Sequence, residues 1–113
     1  MLSFSALRTV NVLRCLTHFH PIEDWSPTDW ATALAGECGE ACNVIKKIRR
    51  LQTAPHWSPE DGNRDLIAEV ADELADVIIY TDLLAVRLGI DLEQAVRTKF
   101  NKTSDKIGSL IRL

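Results

Sequence analysis

Apolar positions recur at a helical period along almost the whole chain, and no stretch alternates with period two for long enough to make a strand. In "WATALAGECGEACNVIKKI", residues 30–48, a helix turns about 100° per residue. Trp30, Ala33, Leu34, Ala41, Val44, Ile48 and Leu51 then share one face. The pattern predicts four such helices. The first covers residues 3–19 and ends before Pro21. The second is capped by Ser26, with Pro27 at its first position and Asp29 in its first turn, and reaches Leu51. The third covers residues 64–88, where Gly89 supplies a stop, and Asp91 caps a fourth that passes Phe100 towards Lys106. Residues 52–63, "QTAPHWSPEDGN", read as a loop. The expected fold class is all-α: an antiparallel helical bundle of about four helices, forming one domain over residues 1–113. A chain of this length has a modest core, so dimerisation is expected to complete the bundle. Gly36 and Gly39 lie inside the second helix, where each costs about 1 kcal/mol against alanine. They are expected to admit a closely packed helix or a ligand.

Glu37 breaks the pattern, because it falls near the centre of the apolar face of the second helix, with Glu40 at the edge of that face. A carboxylate is seldom buried without compensation. The third helix carries "LIAEVADELADVIIY", with an expected apolar face of Leu66, Val70, Leu74, Val77, Ile78 and Leu84. Beside it runs an acidic strip of Glu69, Asp72, Glu73 and Asp76. Glu73 and Asp76 repeat the spacing of Glu37 and Glu40, which sets two carboxylates on adjacent turns of one face. Two such pairs on neighbouring antiparallel helices can converge. Four crowded carboxylates repel one another, so either some are protonated or a cation sits among them. Oxygen-only ligands select hard ions, Mg²⁺ first and Mn²⁺ second. A di-iron bundle would need Glu-x-x-His pairs, and His18, His20 and His56 do not occupy such positions. A solvated ExxE face is the competing reading of either pair alone; the pairing of the two favours a cation site.

Composition narrows the picture further. The net charge is -3, with no basic cluster of the kind that grips duplex nucleic acid. No apolar run is long enough to span a membrane. The first twenty residues hold Arg8 and Arg14 and no acid, which is read as an ordinary first helix rather than a targeting segment. Cys15, Cys38 and Cys42 complete no zinc pattern and read as reduced thiols of a cytoplasmic protein.

"GECGEACNVIKKIRR" followed by "ADELADVIIYTDLLAVRLGIDLEQAVRTKFNKTSDKIG" resembles the MazG-like branch of the all-α nucleoside triphosphate pyrophosphohydrolases, a superfamily that includes dCTP pyrophosphatases and dimeric dUTPases. The resemblance runs from "NVLR" to "KFNKTS", and ExxE, spacer, ExxD is met by Glu37, Glu40, Glu73 and Asp76. It implies a homodimer or a dimer of dimers, Mg²⁺ held by those four acids, and hydrolysis of a (d)NTP to the monophosphate and pyrophosphate. The metal would offset the acid cluster's repulsion of the triphosphate and activate the α-phosphate and the attacking water. Glu40, at the edge of the face, is the first choice for the base that takes the water's proton; Glu69 and Asp72 are candidates for outer acids. The resemblance makes Lys99 and Asn101 of "KFN" candidate phosphate contacts, with Lys47 beside them. Asn11 and Trp25 are candidates for the base or sugar pocket, and Trp30, lying on the apolar face, is weighted towards the core. Trp57, in a loop, could close over a base. The alternative is a non-catalytic helical interaction module whose acids bind a cation or a basic partner.

Overall fold

The computed structural model describes residues 1–57 and 59–113. Among these the fold is all-α, with four α-helices and no strand, as the bundle pattern of the sequence predicts. Helix α1 spans Phe4–His18, α2 Pro27–Thr53, α3 Leu66–Arg87 and α4 Leu92–Ile107. Short 3-10 turns occupy Ile22–Asp24, Pro55–Trp57 and Pro59–Asn63, so the expected loop between α2 and α3 is partly helical; Ser58 within it lies outside the described residues.

Local chemistry sets the ends. The Ser3 hydroxyl accepts the Ala6 N–H at 3.1 Å, and the Asp91 carboxylate accepts the Gln94 N–H at 3.0 Å. Helix α3 starts later than the apolar pattern suggests because Asp65 caps it, accepting the Ala68 N–H at 3.0 Å. It stops at Gly89, whose φ of +68° is a left-handed conformation open to glycine at little cost. There the Ile90 N–H reaches back to the Ala85 carbonyl at 2.8 Å and the Gly89 N–H to Val86 at 3.0 Å. That is a Schellman closure, and Gly108 with Ser109 repeats it at the end of α4.

The described residues group into two units, Thr28–Thr81 and the pair of segments Met1–Pro27 and Asp82–Leu113. The first is a helical hairpin of α2 and most of α3. Trp30 meets Tyr80, with ring centroids 6.4 Å apart, while Ile48 and Leu51 share a hollow with Leu66 and Ile67. The two helices therefore run antiparallel. Trp30, Ala41 and Val44 are buried, in agreement with the α2 face read from the sequence, and Leu66 is buried at the start of α3.

The expected face of α3 is corrected. Leu74 and Ile78 are each 52% exposed, whereas Glu73, Asp76, Val77 and Tyr80 are half-buried. At 100° per residue, Leu66, Val70, Val77, Tyr80 and Leu84 form a stripe centred near Glu73. Ile67, Leu74 and Ile78 form a second apolar strip, exposed on this chain. Each helix of the hairpin thus carries a glutamate in the middle of its inward stripe.

The close helix approach expected at Gly36 and Gly39 is also corrected: a Cβ added at either position would meet nothing within 4 Å. Gly36→Ala and Gly39→Ala should therefore each stabilise the isolated chain by about 0.5–1 kcal/mol, measured by urea unfolding. A loss of stability instead would show that a second molecule fills that space.

The other unit contains α1, the turn at Ile22–Asp24, the end of α3, and α4, with α1 packed on α4. Cys15, Ile22, Leu83 and Ala85 form its buried apolar part. Asp82, 1% exposed, accepts from Arg8 Nε at 2.9 Å and from Asn11 Nδ2 at 3.1 Å. Arg8 Nη1 also donates to the Ile90 carbonyl at 3.1 Å, which ties the turn after α3 to α1.

Candidate metal centre

The two central glutamates of the hairpin face each other. Glu37, Glu73 and Asp76 each offer one carboxylate oxygen, and the three atoms lie within 4.8 Å of one another. Around an octahedral Mg²⁺ with bonds near 2.1 Å, adjacent ligands stand about 3 Å apart and opposite ones about 4.2 Å. The trio is thus close to the size of a hard-cation cage and needs only a small contraction to close on one ion. One oxygen each of Glu37 and Glu73, Oε2 in both, is sealed from solvent with no hydrogen-bond partner. A buried acceptor without a donor is costly, and a bound cation would satisfy both oxygens. On geometry and donor chemistry, a hard divalent ion fits these residues.

The electrostatics agree. Burial raises the Glu37 carboxyl above its ordinary value, and Glu40, Asp76 and Glu73 push it further by repulsion, with a hydrogen bond to Glu40 adding to the effect. Glu73 is raised by burial first, then by a hydrogen bond with Glu40 and by the charges of Glu40, Asp76 and Asp72. Among the described residues no lysine or arginine forms an ion pair with Glu37, Glu40, Glu73 or Asp76. Metal-free protein is therefore expected to gain stability on mild acidification. A carboxyl raised in the folded state binds its proton more tightly there than in the unfolded chain, so stability falls as pH rises through that window. Melting in chelator should come at higher temperature near pH 5 than near pH 7, and excess Mg²⁺ at the higher pH should recover the difference. A melting curve that ignores pH in this range would contradict the repulsion.

The other residues singled out in the sequence are placed as follows. Glu40 is exposed and lies outside the trio, but it is near enough to Glu37 and Glu73 to raise both carboxyls above their ordinary value. Lys47 is half-buried on α2, two turns beyond Glu40. Lys99 and Asn101 stand on α4, in the other unit. The same unit holds Asn11 on α1, which is buried and donates to Asp82, and Trp25 before α2, whose ring lies 4.6 Å from that of His20 and whose carbonyl accepts from Arg87 Nε at 2.8 Å. Trp57 is 75% exposed. Glu69, an outer-acid candidate of the sequence reading, is paired with Arg64, which bridges it to the buried Asp61. Asp72, an outer-acid candidate of the sequence reading, adds to the charge felt by Glu73. Sequence reasoning missed one feature. Asp82, a lone acid in the apolar run "IIYTDLLAV", carried the same signal that exposed Glu37.

Comparison with known proteins points the same way. The MazG-like family model matches residues 43–110, which takes in Glu73, Asp76, Lys99 and Asn101 and begins after Glu40. The chain is 33% identical over 105 residues to dCTP pyrophosphatase 1 of Bos taurus, a match covering 88% of this chain and 59% of that protein. Against dCTP pyrophosphatase 1 of Homo sapiens the figures are the same, 33% over 105 residues, with 88% and 59% covered. The Rattus norvegicus protein of that name is 32% identical over 105 residues, again with 88% and 59% covered. The chain thus spans 59% of the length of these curated relatives. No solved structure matches it significantly. A match covering 88% of the chain in one stretch necessarily includes the hairpin from Glu37 to Asp76. With the family model covering more than half of the sequence as well, the chain belongs to the MazG-like family.

Proposed function

We propose that this chain is a nucleotide pyrophosphohydrolase that cleaves a (d)NTP to the (d)NMP and pyrophosphate and depends on Mg²⁺, with Mn²⁺ as a substitute. The observation that carries the reading is the meeting of Glu37, Glu73 and Asp76 around two sealed, unpartnered carboxylate oxygens. Membership of the MazG-like family and the likeness to proteins named dCTP pyrophosphatase 1 support the reaction class, and make dCTP a natural first substrate to try.

Glu37, Glu73 and Asp76 would hold the ion, with Glu40 as the fourth acid. When bound, the ion supplies positive charge that neutralises the triphosphate and activates its α-phosphorus towards water. Glu40 is exposed beside the trio, and its carboxylate would accept the proton of the attacking water. The bond from the α-phosphorus to the bridging oxygen breaks, and that oxygen leaves with the pyrophosphate. Lys47, Lys99 and Asn101 are proposed as phosphate contacts, and Asn11 and Trp25 as shapers of the base or sugar pocket. Asn11 would act through Asp82, since its amide already donates there. The exposed apolar strip of Ile67, Leu74 and Ile78 supports assembly as a homodimer or a dimer of dimers, and residues 1–113 are read as one functional domain.

Purified protein incubated with a panel of (d)NTPs and Mg²⁺ should release pyrophosphate and monophosphate, and chelator should stop it. Release of inorganic phosphate with a diphosphate product would assign a different bond. No turnover of any nucleotide, together with no nucleotide-dependent gain in thermal stability, would favour the non-catalytic interaction module.

A further inference from the structure

Residues 109–113 follow α4. After the closure at Gly108, residues 109–113 turn back along the helix, and the contact they make is specific. Asn101 clamps the backbone of Leu113 from both sides: its Oδ1 accepts the Leu113 N–H at 3.0 Å, and its Nδ2 donates to the Leu113 backbone oxygen at 3.3 Å. Arg112 pins the segment further. Its Nη2 pairs with Asp105 on α4 at 2.6 Å, and its Nη1 donates to the Ser109 carbonyl at 2.8 Å. Ser109 and Ile111 wall a groove of 710 Å³ along α4, lined also by Lys99, Phe100 and Ile107. Of the two phosphate candidates on α4, Asn101 is therefore occupied by this segment, while Lys99 lines the groove that the segment walls.

The segment is held by polar latches rather than by burial. Leu110, Ile111 and Leu113 are 94%, 71% and 54% exposed. The Arg112–Asp105 pair is in water on both sides, and such pairs hold weakly and are screened by salt. An amide pair at the surface exchanges readily for water or for another acceptor. Little hydrophobic area opposes release, so a ligand offering Asn101 a better acceptor, such as a phosphate oxygen, can displace the segment.

We propose that residues 109–113 form an autoinhibitory strap, which keeps Asn101 engaged until nucleotide displaces it. The proposal rests on the reading of Asn101 as a phosphate contact. The enzyme is competent only in the strap-open fraction, so the apparent affinity for nucleotide is reduced by that fraction. Arg112→Ala removes the pin, and Leu113→Pro removes the N–H that Asn101 accepts; both leave the Ser109–Ser104 closure of α4 in place. Each variant should lower KM for the (d)NTP turned over fastest by about 3- to 10-fold, with kcat unchanged. A structural role alone would lower the melting temperature and leave KM where it was. Hydrogen exchange on the wild-type chain gives a second reading. Addition of the α,β-imido analogue of that same (d)NTP with Mg²⁺ should speed exchange of the amides of residues 109–113, and unchanged or slower exchange overturns the strap. Equal KM in wild type and both variants overturns it too, while leaving the hydrolase reading intact. Absence of turnover in all three defeats the hydrolase reading and the strap together.

Discussion

Glu37→Gln and Glu73→Gln are each expected to abolish most activity while making the metal-free protein harder to melt. The two effects have one cause. In the hairpin each glutamate sits at the centre of its helix's inward stripe and shares the space with like charges. Glutamine keeps the shape, removes one negative charge and adds an N–H₂ group that can donate to a neighbouring carboxylate. Repulsion falls, so the melting temperature in chelator should rise. On the proposed reading the same change removes one anionic ligand of the ion, and Mg²⁺-dependent pyrophosphate release should drop by at least about 100-fold. Added Mg²⁺ should raise the wild-type melting temperature and move the variants less, because only a bound ion shifts the equilibrium. A variant that loses activity and stability together would point to a structural carboxylate. One that keeps full activity would remove the residue from the metal centre.

The acid pair of α2 could be found from sequence because a helix has a fixed angle per residue and Glu37 falls inside an otherwise apolar face. The pair on α3 was harder to orient. "LIAEVADELADVIIY" is apolar over more than half of its circumference, and periodicity alone does not say which part of a broad stripe turns inward. Leu74 and Ile78 looked like core by composition, yet the inward direction runs through Glu73. The helix ends were legible where a capping side chain or a glycine acts over one turn, as at Asp91 and Gly89. The start of α3 was misplaced because Arg64 and Asp65 both suit a first turn, and only the bond from the Ala68 N–H selects Asp65. The partners of Glu69 and of Asn101 lie beyond the reach of pattern. Arg64 is five residues from Glu69 across a turn, and Leu113 is twelve residues from Asn101. No periodic rule connects such pairs.

Asp82→Ala should give the largest loss of stability of any single change in the unit that contains α1 and α4. Asp82 is 1% exposed and is the shared acceptor for Arg8 and Asn11, and Asn11 is itself 2% exposed. Truncation leaves the buried Asn11 amide without this acceptor and takes the counter-charge from Arg8. Breaking a buried pair from one side costs about 3–5 kcal/mol when the remaining charge stays dry. Arg8 is 31% exposed and can draw in water, so the lower end of that range, about 3 kcal/mol, is expected. In a domain of this size that corresponds to a fall of more than about 10 °C in melting temperature. The double variant Arg8→Met with Asp82→Leu discriminates between two accounts of the site. If the network's value lies in avoiding an unpaired charge, replacing both charged partners with apolar groups should restore the share of the Asp82→Ala loss that comes from the bare Arg8 charge, the Asn11 amide still lacking Asp82. If Arg8 instead matters because its Nη1 holds the Ile90 carbonyl and so fixes the turn after α3, the double variant should stay as unstable as the single one, and urea unfolding of the three chains separates these outcomes.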